Sequence, residues 1–316
     1  MLERSPAAAE NLAAPPGSGI SPGRLVLRRF LRHRLAVASG ILLLLLALAS
    51  LAAPLVADLL GQDVETVNLF ERFAPASTEN PLGTDELGRD LLLRLLYGGQ
   101  ISLFVGLVGA IASAAIGTVI GVIAGYAGGR IDAFLMRFTD AVIALPLLPL
   151  LIILAAVDFT KLGLPAGLMR SSYGSLYIIL GIIALVGWTT VTRLVRGATL
   201  SVRERDYVRA ATALGAGPVR IIARHILPNV ISPIIVATTL SVGNVILIES
   251  ILSFLGLGIQ PPLPSWGNML TNAQELIWQA PALAIWPGLL IFIAVIAFNF
   301  LGDGLQDALD PRADQF

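Results

Sequence analysis

Six apolar runs decide what this chain can become: residues 35–56, 101–126, 133–157, 175–195, 230–255 and 284–301. A helix needs about 20 residues to cross the roughly 30 Å hydrocarbon core of a bilayer, and each run is of that order. The fold class that follows is an all-α membrane protein with six transmembrane helices. Composition supports this over two soluble domains in 316 residues, with 56% hydrophobic against 13% charged side chains and a mean hydropathy of +0.82. The formal net charge is zero. No basic surface therefore argues for nucleic acid, and lipid is the surrounding partner.

The arginines orient the spans, because positive loops stay on the cytoplasmic side. Residues 1–23, rich in Ala, Pro, Gly and Ser, read as a disordered cytoplasmic tail. Residues 24–57 form an N-terminal span with a basic flank of Arg24, Arg28, Arg29, Arg32 and Arg34. Its ALASLAA sequence could pass for a signal-peptidase site, but the segment before it is too long, so the span is expected to be uncleaved. Residues 58–100 carry eight acids and three arginines and are expected outside. There Thr84 would cap a short amphipathic helix at the membrane surface, with Leu87, Leu91 and Leu95 on one face. Residues 101–301 make a five-span core that includes a cytoplasmic loop at 198–229, where Arg193 to Arg224 hold seven arginines against two acids. Span parity puts residues 302–316, a tail with several acids, in the cytoplasm as well.

The loop is punctuated as two short helices. Ser201 and Glu204 have the spacing of a capping box and would start a helix near Val202. Tyr207, Ala210, Ala211 and Leu214 then fall on one narrow face of small and apolar side chains. Gly215 is placed to close the helix in the left-handed region, and Pro218 to open a second that runs to about Leu227, before Pro228. Such a helix suits docking into another protein; a surface helix lying on the membrane is the plainer reading.

Several chemistries are excluded. The chain has no cysteine, and its two histidines, His33 and His225, are far apart, which disfavours a metal site. Lys161, the only lysine, lies between Thr160 and Leu162 rather than in a GxxxxGK[ST] loop. Any ATP that drives this chain must be bound by another subunit. No catalytic constellation can be assembled within the spans.

Small residues from Gly106 to Gly125 mark the second span for close helix packing. Pro146 and Pro149 should kink the third span and Pro233 the fifth, with a gate as one possible use. Polar groups inside spans are costly and each needs a reason. Asp140 is expected to pair with Arg137 one turn away. Asn244, Glu249 and Asn299 either line a pathway or bond to neighbouring helices. FLGLGIQPPLPSWGNML should fold back after the fifth span, with Trp266, Trp278 and Trp286 in the outer interfacial belt.

Arg209-Ala210-Ala211, three residues, Gly215, nine residues, His225-Ile226-Leu227-Pro228 resembles the EAA loop of ABC importer permeases, whose pattern is EAA, three residues, G, nine residues, I-x-L-P. NPLGTDELGRDLLLRLLYGGQISL, YAGGRIDAFLMRFTDAVIALP, ESILSFLGLGIQPP and NFLGDGLQDALDP are similar to the dipeptide, oligopeptide and nickel permease family, in the subunit with an extra N-terminal span. Two positions depart from the pattern: Arg209 stands where it has Glu, and His225 where it has Ile. The resemblance implies a non-catalytic subunit of a type I importer in the bacterial inner membrane, with both termini cytoplasmic. It implies a homologous second permease, two cytoplasmic ATP-binding subunits holding ATP and Mg, and an extracytoplasmic substrate-binding protein. The ATPase-coupling helix would then comprise Glu204, Asp206, Tyr207, Arg209, Ala210, Ala211, Leu214 and Gly215. Dipeptides or oligopeptides are the implied cargo, with nickel complexes or small saccharides as alternatives. A stand-alone secondary transporter or channel would need coupling charges and usually an inverted repeat, and neither is visible.

Overall fold

The computed structural model describes residues 22–309, except 158, 159, 162, 164, 166, 168–170 and 172. The tail expected over 1–23 thus lies almost wholly, and that expected over 302–316 partly, outside the described residues. Apart from a single turn at Ala273–Leu276, the α-helices among the described residues are α1 (Pro22–Arg32), α2 (Arg34–Leu51), α3 (Ala53–Leu60), α4 (Leu91–Ala127), α5 (Gly129–Ala144), α6 (Leu147–Ala156), α7 (Gly174–Arg203), α8 (Asp206–Ala213), α9 (Pro218–Ile221), α10 (Leu227–Phe254) and α11 (Ala282–Leu309). A π-turn, Ile222–Ile226, joins α9 to α10, so that Pro218–Phe254 passes as one 37-residue helix.

Five of these are long and apolar enough to cross a membrane, and a sixth span is counted if α5 and α6 are taken together. That pair is bent by 86°. The cause is Pro146, whose ring disfavours the α region for the residue before it. Leu145 is accordingly extended at φ −71°, ψ 134°. Pro233, by contrast, lies within α10 without ending it.

α4 is the central helix, packed most extensively against α7 and also against α10, while α11 packs on α10 and α2 on α11. Glycine makes the α4–α7 contact possible. A Cβ on Gly117 would lie 2.6 Å from the Trp188 carbonyl oxygen, and one on Gly121 2.7 Å from that of Thr192. Close approach is what drives association where lipid supplies no hydrophobic force. Thr192 uses it, donating to the Gly117 carbonyl at 3.2 Å.

Two expectations at the start of α4 fail. Thr84 caps no helix: its hydroxyl accepts from the Ala74 N–H at 2.8 Å and donates to the Glu71 carbonyl. The cap is Asp90, which accepts from the Leu93 N–H at 2.7 Å. Leu91 and Leu95 are then buried in the first turns of the spanning helix itself, not on a separate surface helix. The segment after α10 does fold back, but Trp266 is 1% exposed rather than in an interfacial belt. Its indole donates to the Leu95 carbonyl at 2.9 Å and its backbone N–H to Ser102 Oγ at 3.1 Å. Trp278 is 92% exposed.

Candidate functional site

The loop at 198–229 begins later than its capping-box pattern suggests. α7 continues through Ser201 to Arg203, so Ser201 is an interior helical residue and Glu204 is the C-cap. Arg203 secures that end by donating to the Tyr126 carbonyl at the end of α4, at 2.9 Å. Glu204 and one extended residue, Arg205, then separate α7 from α8. Asp206 in the first turn of α8 complements the helix dipole.

α8 is closed by a Schellman motif. Ala216 N–H donates to the Ala211 carbonyl and Gly215 N–H to that of Thr212, both at 3.0 Å. Gly215 has φ +82°, a conformation that glycine adopts without cost. Pro218 is the first residue of α9, where its missing N–H leaves no bond unmade. The helix does not stop before Pro228. Pro228 falls in the first turn of α10, and the π-turn ahead of it shifts the hydrogen-bond register, with Leu227 N–H donating to the Ile222 carbonyl.

α8 is held by one side chain that its sequence pattern did not single out. Val208 is 2% exposed and packs with Ile221, Ile226 and Val230, beside Tyr126 and Val202. Ala211 is half-buried, whereas Tyr207, Ala210 and Leu214 are exposed, Leu214 at 89%. Val219, at 78% exposed, adds another apolar side chain at the same corner. Tyr207 leans on the His225 ring, with centroids 6.2 Å apart. Arg209 reaches Glu204 at 3.8 Å, and both side chains are more than two-thirds exposed. A pair this exposed contributes little.

Between the α5–α6 elbow, α7 and α10 lies a cavity of about 600 Å³. Its wall is mostly aliphatic, with Leu145 and Leu147 flanking Pro146 at one side and Thr190, Arg193, Ser241 and Asn244 supplying polar groups. Asp140 pairs not with Arg137 but with Arg193, at 2.5 Å, because the 53-residue separation closes when α5 packs on α7. Below it Arg196 grips Asp132 through two hydrogen bonds of 2.5 and 2.6 Å. These two bridges tie the bent span to α7. Sequence reasoning missed them because both partners are distant in the chain.

The remaining polar residues separate. Asn244 lines the cavity. Glu249 is fully buried and away from it, accepting from Ser253 at 2.7 Å and Ser102 at 3.3 Å. That hydroxyl cluster also holds the returning segment through Trp266 and Ile259. Asn299 is exposed and donates to the Val295 carbonyl of its own helix. Among the described residues no group of three or more His, Asp or Glu side chains is placed to hold a metal ion.

A bundle of apolar helices around a partly open cavity, with an apolar corner left at one end of a continuous helix, is the architecture of a multi-pass membrane transport component. The chain belongs to the family described as "Binding-protein-dependent transport system inner membrane component", which it matches over residues 117–315. Residues 21–75 match the "N-terminal TM domain of oligopeptide transport permease C". Similar proteins include the oligopeptide transport system permease protein OppC of Haemophilus influenzae, 38% identical over 90% of this chain and 87% of that protein. The glutathione transport system permease protein GsiD of Pectobacterium atrosepticum is 39% identical over 92% of each chain. The dipeptide transport system permease protein DppC of Bacillus subtilis is 39% identical over 90% of this chain and 84% of its own length. The chain is thus a non-catalytic, multi-pass component of the inner membrane with the permease fold.

Proposed function

We propose that this chain is a permease subunit of an ATP-driven importer of short peptides. In this reading it forms the pathway with a second, homologous permease, and two cytoplasmic subunits bind ATP and Mg. An extracytoplasmic binding protein delivers the cargo. The loop at 198–229 and both termini face the cytoplasm, as the seven arginines between Arg193 and Arg224 favour. The relatives' names support the cargo class, since each is named for an oligopeptide, dipeptide or glutathione system.

The observation that carries the coupling role is the seating of α8. It is anchored by Val208 and leaves Tyr207, Ala210 and Leu214 uncovered, while the helix that follows its closing turn runs on to line the cavity with Asn244. Closure of the ATP-binding pair would press on that face, and the α9–α10 helix and the α5–α6 elbow would move relative to α7. Asp140, Arg193, Pro146 and Asn244 then belong to the pathway or its gate, whereas Glu249 serves the packing of the returning segment.

The test is reconstitution in liposomes with and without the partner subunits. Uptake of labelled di- or oligopeptide must require the ATP-binding subunits, and Leu214→Arg must reduce their co-purification. Uptake by this chain alone, or complexes unaffected by Leu214→Arg and Ala210→Arg together, would sink the coupling reading. Uptake of nickel complexes or saccharides in place of peptides would overturn only the cargo.

A further inference from the structure

We propose that α1 is a binding site for anionic lipid headgroups, a basic interfacial helix fixed to the end of the bundle. The inference rests on the chain's being embedded in a membrane and on neither its cargo nor its coupling. From residue 24 to residue 34 there are five arginines and no acid.

α1 presents three different sides. Val26, Phe30 and His33, spaced by four and three residues, are half-buried toward the protein, where α1 contacts α2 and α11. Leu27 and Leu31, four residues apart, form a second strip and are 56% and 59% exposed. Leu35 at 57% carries this strip onto the lipid-facing surface of α2, which also exposes Leu42 and Leu45. Arg24, Arg28 and Arg32, again four apart, lie exposed on the third side. With 3.6 residues per turn, the leucine and arginine strips are adjacent. An apolar strip beside a basic one, on a helix of low net hydrophobicity, is what lies in the plane of a membrane interface.

The corner after α1 fixes this arrangement. His33 leaves the helical region at ψ 89°, so α1 is no continuation of the α2 span. The His33 imidazole accepts from the Ala36 N–H at 3.1 Å through Nδ1, and its Nε2 stands 3.6 Å from Asp307 on α11. The basic strip is thereby held beside the leucines that enter the acyl region. Charge complementarity selects the occupant: a leaflet containing anionic phospholipid attracts arginines at its surface.

The experiment uses the full chain assembled with its co-expressed subunits in phosphatidylcholine nanodiscs, with or without phosphatidylglycerol. Because the chain has no cysteine, single substitutions Leu31→Cys and Arg28→Cys accept a nitroxide without further engineering. The label at 31 is expected to meet oxygen more than a water-soluble relaxant, and the label at 28 the reverse. In native mass spectrometry the assembly should retain phosphatidylglycerol over phosphatidylcholine. Arg24→Gln, Arg28→Gln and Arg32→Gln combined should weaken that retention on the order of a hundredfold. The same charge removed at Arg72, Arg130 and Arg137, exposed and outside both α1 and the loop at 198–229, should leave it within a few-fold. Equal loss in both triple variants, undiminished retention in the α1 variant, or a water-exposed label at 31 would each overturn the proposal. The last outcome would point to a protein partner instead. Should the triple variant fail to assemble, the two labelled single variants still decide.

Discussion

Gly215 and Gly217 stand two residues apart in the turn after α8, and a Cβ added to either meets nothing within 4 Å. Steric crowding therefore predicts the same outcome at both, while backbone conformation predicts opposite ones. Gly215 has φ +82°, whereas Gly217 has φ −69° and serves as the N-cap of α9. Holding an L-residue in the left-handed region costs about 1–2 kcal/mol, so Gly215→Ala should loosen the Schellman turn by that amount. A β-branched valine should cost more. At Gly217 serine is a preferred N-cap, and Gly217→Ser should be neutral or slightly stabilising. About 1–2 kcal/mol corresponds to a 5- to 30-fold rise in local opening, which hydrogen exchange reads directly. Exchange of the amides from 206 to 217 should rise by that factor in Gly215→Ala and stay level in Gly217→Ser. In the reconstituted importer Gly215→Val should keep ATP hydrolysis and lose peptide uptake, since the turn links α8 to the helix that follows. Matching exchange in the alanine and serine variants would refute the conformational argument, and equal loss of hydrolysis and uptake would refute the coupling one.

Arg209→Glu should leave uptake and hydrolysis near wild type, because its partner Glu204 is 3.8 Å away and exposed, a pair worth about 0.5 kcal/mol at most. Gly121→Ala should destabilise the bundle by about 1–3 kcal/mol, as its methyl would stand 2.7 Å from the Thr192 carbonyl oxygen. Gly181→Ala, on open α7 surface, should be neutral or stabilising, and thermal unfolding of the two in detergent distinguishes them. A double-mutant cycle of Asp132→Asn and Arg196→Gln should give a coupling of about 1 kcal/mol, held below the usual worth of charged hydrogen bonds by partial exposure. The same cycle on Asp140 and Arg193, both over half exposed, should give less and vanish in salt.

Hydropathy made the spans legible because burial in lipid demands long uninterrupted apolar runs, and Pro146 announced the break in the third. What hydropathy does not report is where a helix continues past the apolar stretch. Ser201 and Thr84 both look like caps, yet the helix at Ser201 is already committed upstream and the Thr84 hydroxyl is spent on Glu71 and Ala74. Capping residues are common outside helix starts, and only backbone partners decide among them. That Tyr207, Ala210 and Leu214 share one face of α8 was readable from their spacing, but the anchor of that helix was not. Val208 lies between Tyr207 and Arg209 in a polar stretch, and its burial depends on Ile221, Ile226 and Val230, which arrive only after the turn. The ion pairs of α5 with α7 were hidden for a related reason: Asp132 and Arg196 are 64 residues apart, and nothing local signals their meeting.

Pro218–Phe254 spans 37 residues, hence about 55 Å along one axis. One end starts at the turn that closes α8; at the other, Glu249 and Ser253 grip the segment that carries Trp266. Under the coupling role proposed for α8, motion would then cross the membrane along one continuous helix rather than through a relay of side chains. Its compliance is concentrated in the π-turn at Ile222–Ile226 and near Pro233, both close to the α8 end. Torque applied there would be partly absorbed within the first few turns, and what survives would reach the far end almost undiminished.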